Sequence, residues 1–455
     1  MNSIIPPFKN FIQRQPKRTI LILAIIWLAL YGINYILHSI GINFDTPLRY
    51  FPVSIFSGPS FHYSGLPSII AFLLVTVLVM KYASQMNWIS IWIIGLLLII
   101  LGNLGQGSFD AGFFQPFYKS DIQYYHDAIK ITSVRSFLET FNDKQPELLT
   151  HSRTHPPFAV LLHYIFLYNK DNLLFLSSMF ILLSSLTIPF FWYIVKIYGA
   201  TIEQSNLIAL LLAVIPAFNI YSAVSLDGVI AMTAGMFLLG LCLILKRKTV
   251  ILGFILFTLG FVFTNLLTFG GFFLAAAAGI IGIVNYIKQK RSDVLTATGA
   301  IILIFLLVIY LLTHFFHYDH IRTFLTASHL ENPQGSMIFH KPVEYVMTRI
   351  EDIMEIALFL SAGCLIVFFN NEKRSLSLRN SSNAAVLTIL SGIISLLALF
   401  IIGTYRTGET ARTCLFIYPY ILLAFIQTNA ITVKDMILLA TIQTAGMQIC
   451  GNYFW

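Results

Sequence analysis

Charge is what this 455-residue chain has least of: Asp, Glu, Lys and Arg make up 11% of it while 57% is hydrophobic, and a soluble domain carries about 25% charged residues. A water-soluble globule is thereby excluded. Cysteine is rarer still. Cys242, Cys364, Cys414 and Cys450 lie in or at the ends of apolar runs, with no CxxC pair; they read as small packing residues and leave the redox compartment unspecified. Strand-like alternation is missing too: stretches such as 19–40 and 294–313 are apolar on every face, which excludes a transmembrane β-barrel. Without internal repeats, low-complexity tracts or long linkers, the chain reads as one membrane-embedded domain, an all-α polytopic integral membrane protein.

What is present is a series of apolar runs. Candidate spans are 19–40, 68–84, 88–104, 172–196, 206–223, 227–245, 249–264, 266–287, 294–313, 352–370, 383–402, 411–428 and 431–450, with a shorter piece at 156–168. By span length that predicts about thirteen or fourteen crossings. The run after the basic segment 1–18 is too long for a signal-peptide core and is expected to stay as a first helix.

The net charge of +8 comes from Lys and Arg in short gaps between the runs: Lys9, Arg14, Lys17 and Arg18, then 246–248, 288–291, 373–379 and Lys434. This is a topology signal and gives no reason to expect nucleic acid. All these clusters share the cytoplasmic side if 41–67, 105–155, 314–350 and 403–410 lie opposite. The parity then requires either that 156–168 be re-entrant or that 172–196 be broken in two. The divisions expected are N-terminal helices 1–104, an extracytoplasmic loop 105–155, core helices 156–313, a second external loop 314–350 and C-terminal helices 351–455.

Polar chemistry is concentrated in 105–155. Val134, Phe137, Leu138 and Phe141 recur at helical spacing and predict a short amphipathic helix on the membrane surface. Ahead of it runs Ser120-Asp121-Ile122-Gln123-Tyr124-Tyr125-His126-Asp127-Ala128, and after it Thr154-His155-Pro156-Pro157-Phe158 enters the membrane. Further on, Tyr221-Ser222-Ala223-Val224-Ser225-Leu226-Asp227 opens another helix. An acidic residue before a Tyr-Tyr helix, a (His/Lys)-Pro-Pro step and an aromatic-x-x-x-x-Leu-Asp step resemble the GT-C membrane glycosyltransferases. The nearest branch holds the protein O-mannosyltransferases and bacterial lipid-modifying sugar transferases. The resemblance covers 105–250, and thereafter only general architecture. Three helices precede the loop where the family usually has one, and the frequent Asp-Glu pair is here Asp121-Ile122.

The resemblance implies an inverting transfer of a sugar from a polyprenyl-phosphate donor to a hydroxyl of a lipid, glycan or protein acceptor. The reaction would take place on the extracytoplasmic face of a multi-pass membrane protein, in the plasma (inner) membrane if prokaryotic. A hydroxyl attacking the anomeric carbon needs a proton acceptor, and Asp121 is assigned that role, with Asp110 and Asp127 in reserve; Asp121 also suits an N-cap. Asp227, His155, Arg153, Tyr124 and Tyr125 are expected to bind substrate. Asp227 could instead cap the helix it opens, and His155 and Arg153 could contact lipid headgroups.

In Gly403-Thr404-Tyr405-Arg406-Thr407-Gly408-Glu409-Thr410-Ala411-Arg412, Arg412 and Arg406 are expected to grip the donor phosphate, with Glu409 orienting Arg412. An internal Glu–Arg pair is the alternative. No carboxylate cluster demands a metal, although Asp121 and Asp227 leave room for a divalent cation. His314, His317, His320 and His329 fan around a helix too widely to converge on a metal, so 314–350 is expected to help enclose substrate. Two other functions share such a helix count. One is a lipid-linked oligosaccharide polymerase or ligase relying on late Arg and His; the other is a flippase or transporter, against which spans free of mid-membrane acidic residues speak.

Overall fold

The computed structural model describes residues 60–167, 172–370, 384–403 and 409–451, with the single positions Ala29 and Tyr453. The expected span 19–40, the basic cluster 373–379 and Arg406 lie outside them. Among the described residues every regular element is helical.

The first two are α1 (Leu66–Tyr82) and α2 (Trp88–Leu104). Asn87 starts α2 by accepting the Ser90 backbone N–H at 2.9 Å, satisfying one of the donors a helix start leaves open. The next segment is built of short helices: α3 (Tyr124–Ala128), α4 (Val134–Lys144), α5 (Thr150–Thr154) and α6 (Pro157–Leu167). At eleven residues, α6 is about 16 Å long at 1.5 Å per residue, too short to cross a bilayer. By contrast α7 (Leu173–Ser185) and α8 (Thr187–Ile197) run on through Leu186 as one span of 25 residues. Of the two topological alternatives, the short piece is therefore 156–168, and 172–196 is not divided.

The expected span 206–223 is two helices, α9 (Ile202–Val214) and α10 (Pro216–Tyr221). Ile215 is extended, with φ −64° and ψ 144°, because the proline after it disfavours the helical region. Then come α11 (Leu226–Leu245), α12 (Val250–Leu267), α13 (Phe272–Gln289) and α14 (Asp293–Phe316). The chain continues with α15 (His320–Glu331), α16 (Pro342–Leu360), α17 (Ala362–Asn370), α18 (Ala384–Ile402), the single turn α19 (Thr410–Thr413) and α20 (Ala430–Cys450).

Among the described residues seven helices are long and apolar enough to cross a membrane, or eight if α16 and α17, bent by 99° at Ser361, count as one. That is fewer than the expected thirteen or fourteen, of which 19–40 lies outside the described residues. Apolar length on its own misses the breaks: 411–428, for example, is divided into pieces of three to five residues.

α11 is the hub. Its apolar window is 89% buried, against 28% for α14 at the periphery, so two helices of similar hydropathy serve as core and lipid-facing wall. α11 and α12 approach until backbone meets backbone: a Cβ at Gly240 would strike the Phe257 amide, and one at Gly260 the Phe237 amide. Phe237 and Phe257 stack beside this crossing at 4.4 Å. A buried amide network ties α2 to α10 and α20. Asn103 donates to the Asn219 carbonyl at 2.7 Å, Gln106 to Gln448 Oε1 at 2.9 Å, and Gln448 to Asn219 Oδ1 at 3.1 Å.

The expected amphipathic helix exists as α4, but its apolar face is turned into the protein instead of lying on the membrane. Leu138 and Phe141 are buried with Leu161 and Tyr318. α4 also clasps the 314–350 segment, itself largely helical. Asn142 Nδ2 donates to the Asp319 carbonyl and Asn142 Oδ1 accepts the Asp319 amide, both at 2.8 Å. Gln145 Nε2 reaches the Arg153 carbonyl at 2.8 Å and the Thr323 carbonyl at 3.0 Å.

Candidate functional site

A partly enclosed cavity of about 50 Å³ is lined among others by Tyr124, His151, His155, Ser225, Asp227 and Arg412. That is space for a few water molecules or one small polar group. Its lining comes from four stretches far apart in sequence.

α3 supplies Tyr124, whose ring is sandwiched between His151 (5.6 Å) and His163 (5.2 Å) and meets His155 edge-on at 5.5 Å. Burial pushes the Tyr124 hydroxyl well above its ordinary pKa, so it stays protonated. α5 and the step into α6 supply His151 and His155. Pro156 fixes the placement of His155, which is extended at φ −123°, ψ 162°, as a residue before proline is driven to be. Its Nδ1 lies 3.1 Å from the His151 carbonyl. Both imidazoles are held below the usual histidine pKa by burial; for His151 the Arg412 and His155 charges add to it, while for His155 the Asp227 charge offsets part of it.

Asp227 sits in the first turn of α11, where the helix N-terminus favours negative charge. It is not the N-cap; Ser225 holds that position. The carboxylate instead faces Arg412, with Oδ2 3.3 Å from Nε, an ion pair by distance whose N–H is not aligned as a hydrogen bond. Arg412 Nη2 donates to Glu409 Oε2 at 2.8 Å. One guanidinium, only 8% exposed, is therefore shared by two carboxylates. Burial, opposed by Arg412, pushes the Glu409 carboxyl above its usual value, and its backbone is left-handed at φ 62°, a strained conformation for Glu. α16 props up this turn: Thr410 Oγ1 donates to the Asp352 carbonyl at 3.0 Å and lies 3.4 Å from Glu355 Oε2.

The other sequence candidates are placed elsewhere. Asp121 is exposed on a turn, does not line the cavity, and does not cap α3, which starts from Gln123 without a side-chain cap. Asp110 is taken up by Gln115 Nε2 at 2.7 Å and Tyr118 Oη at 3.0 Å. Asp127 accepts the Leu149 amide at 3.0 Å and pairs with Lys130 at 3.3 Å, which fastens α3 to the start of α5. Tyr125 is buried outside the lining, against His126. Arg153 is also outside it, its Nε buried without a hydrogen bond.

With Asp227 engaged by Arg412 and Asp121 outside the cavity, a cation bound through both has no support. Among the described residues no three His, Cys, Asp or Glu are grouped to hold a metal. His320 is packed against Phe269, Phe305 and Tyr318, and Asp319 caps α15 through the Ile321 and Arg322 amides, both at 2.9 Å.

No protein-family model, curated protein or solved structure matches this chain. The chemistry of the site therefore has to be read from its own residues. Sequence reasoning missed His151 and His163. His151 was detectable, standing four residues before His155 and so on the same helical face; His163 lies inside an apolar run and carries no such signal.

Proposed function

We propose that the chain is a membrane glycosyltransferase that moves a sugar from a polyprenyl-phosphate donor to an acceptor hydroxyl at this cavity. One observation carries the reading: the three stretches that resemble the GT-C enzymes, around Tyr124, His155 and Asp227, meet with Arg412 around a single cavity. Such convergence from distant positions is what a reaction site requires of a fold.

In this reading Arg412 holds the donor phosphate and stabilises the charge that builds on it as the sugar departs. To do so it must be yielded in part by Glu409. Asp227 orients Arg412 and faces the positive charge that develops at the anomeric carbon. Tyr124, packed between His151 and His163, offers the sugar its protonated hydroxyl as a hydrogen-bond donor. Asp121, exposed and outside the cavity, has no direct part.

The test is transfer from a panel of radiolabelled polyprenyl-phosphate sugars by the purified protein in lipid vesicles, with a lipid extract as acceptor. Label is expected to move, to fall at least roughly 10²-fold in Asp227→Asn, and to persist in Asp121→Asn. A wild-type rate in Asp227→Asn together with a dead Asp121→Asn would return the chemistry to the exposed turn.

One observation favours the transport alternative. The spans are not free of acidic residues, since α16 buries Glu351, Asp352 and Glu355 beside Arg349 just before the 99° bend, and broken helices with buried charge mark many transporters. Cation-driven uptake of a free sugar into the same vesicles, without transfer, would decide for it.

A further inference from the structure

His155 has one nitrogen whose role in the fold is fixed and one that has none. Nδ1 lies 3.1 Å from the His151 carbonyl and 3.3 Å from Thr154 Oγ1. The carbonyl can only accept, and the single Thr154 proton is directed at the Thr150 carbonyl, 2.9 Å away, so both neighbours present lone pairs. Nδ1 must therefore carry the hydrogen, an assignment made from its partners. In the neutral ring Nε2 is then a lone pair. Among the described residues nothing donates to it, while the ring lines the cavity together with Asp227.

We propose that His155, through Nε2, is the proton acceptor of the site, taking the proton of the acceptor hydroxyl. This rests on the sugar-transfer reading. As the acceptor oxygen bonds to the anomeric carbon, its O–H bond breaks and the proton passes to Nε2. The bond from that carbon to the phosphate oxygen breaks on the opposite face, and its electron pair stays on the phosphate. The imidazolium left behind returns the proton to solvent when product leaves.

The surroundings suit a base that is neutral at rest. Asp227 at the start of α11 favours the protonated ring; Arg412 of α19 and burial disfavour it, and Glu409 partly cancels Arg412. His151 of α5 and His163 of α6 are uncharged neighbours stacked on Tyr124 of α3. Asp227 is less suited to the task itself, because its carboxylate is already engaged by the Arg412 guanidinium at 3.3 Å.

Two variants separate the base from a structural role. In His155→Asn the side-chain amide keeps the donation to the His151 carbonyl and deletes the lone pair. In His155→Ala a space remains for added imidazole. The Asn variant is expected to fold, to keep its donor KM and to lose roughly 10² to 10⁴ in kcat. Imidazole should restore part of the rate in the Ala variant, increasingly as pH rises and its neutral form is populated. A kcat in the Asn variant near the parent's, a loss confined to KM, or an Ala variant that imidazole leaves unchanged would each overturn the assignment while the sugar-transfer reading stands. A parent that transfers from none of the donors would take both down. Independently of activity, histidine-selective ¹⁵N NMR at neutral pH should show one ring with an unprotonated Nε2 that His155→Asn removes; a protonated Nε2 would also overturn the proposal.

Discussion

At the scale of single residues, the arrangement around Arg412 makes a prediction about pH. In the sugar-transfer reading, Glu409 and a polyprenyl phosphodiester, which carries one negative charge at any ordinary pH, compete for the same guanidinium. The Glu409 carboxyl is held above its usual pKa by burial, so it becomes neutral early as pH falls and its grip on Arg412 loosens. Donor KM should therefore decrease as pH is lowered through the Glu409 titration, which lies above the usual carboxylate range, and increase on the way back. Glu409→Gln should flatten that profile at a donor KM about tenfold lower, a change of about 1.4 kcal/mol. A pH-independent donor KM in the parent would remove Glu409 from phosphate binding. Arg412→Lys should lose both donor affinity and turnover, because an ammonium cannot offer two parallel donors to one phosphate. Much of this constellation was legible in the sequence: Tyr124, His155, Asp227, Glu409 and Arg412 all stand in stretches that looked unusual for a membrane protein. Asp121 is a candidate that the structure leaves outside the cavity. An acidic residue ahead of a helix looks the same whether it faces a cavity or solvent, and which way a turn points is settled by tertiary packing.

At the scale of elements, the chain shows why apolar runs locate helices better than they count crossings. Composition alone distinguishes α11 and α14 poorly, yet one is core and the other wall; the difference lies in glycines, which a hydropathy window averages away. Gly260 faces the Phe237 backbone across the α11–α12 crossing, whereas Gly279 of α13 has open space where a Cβ would go. Gly260→Val should force the pair apart and sharply reduce the yield of folded protein in detergent. Gly279→Ala should be neutral or raise the melting temperature, since alanine is the better helix former by up to about 1 kcal/mol. Equal behaviour of the two variants would mean that close approach does not hold the hub together. The amphipathic periodicity of α4 was equally plain and its partner was not. Leu138 and Phe141 cover Tyr318, nearly two hundred residues away, and no local pattern announces such a pairing. Asn142→Ala should leave the spans intact but release this clasp, visible as faster hydrogen exchange in α4 and α15.

At the scale of the whole molecule, the basic clusters and the described loops make a topological prediction. Single cysteines at 120 and 330, in a background with the four native cysteines replaced, should react with an impermeant thiol reagent from one face, and one at 247 only from the other. Labelling of 120 and 330 from opposite faces would put the 105–155 segment and α15 on different sides and contradict the clasp between α4 and α15. The buried amide network has a consequence for how the protein is made. Gln106 completes its hydrogen bonding with Gln448, 342 residues later, and at ordinary synthesis rates of 5–20 residues per second roughly 20 to 70 s separate the two. For that interval the ribosome-bound chain carries amides just after α2 and in α10 whose final partner does not yet exist, and an unsatisfied amide in hydrocarbon is costly. A nascent chain stalled before α20 should thus be held by insertion chaperones or degraded, because α20 brings the partner that closes the network.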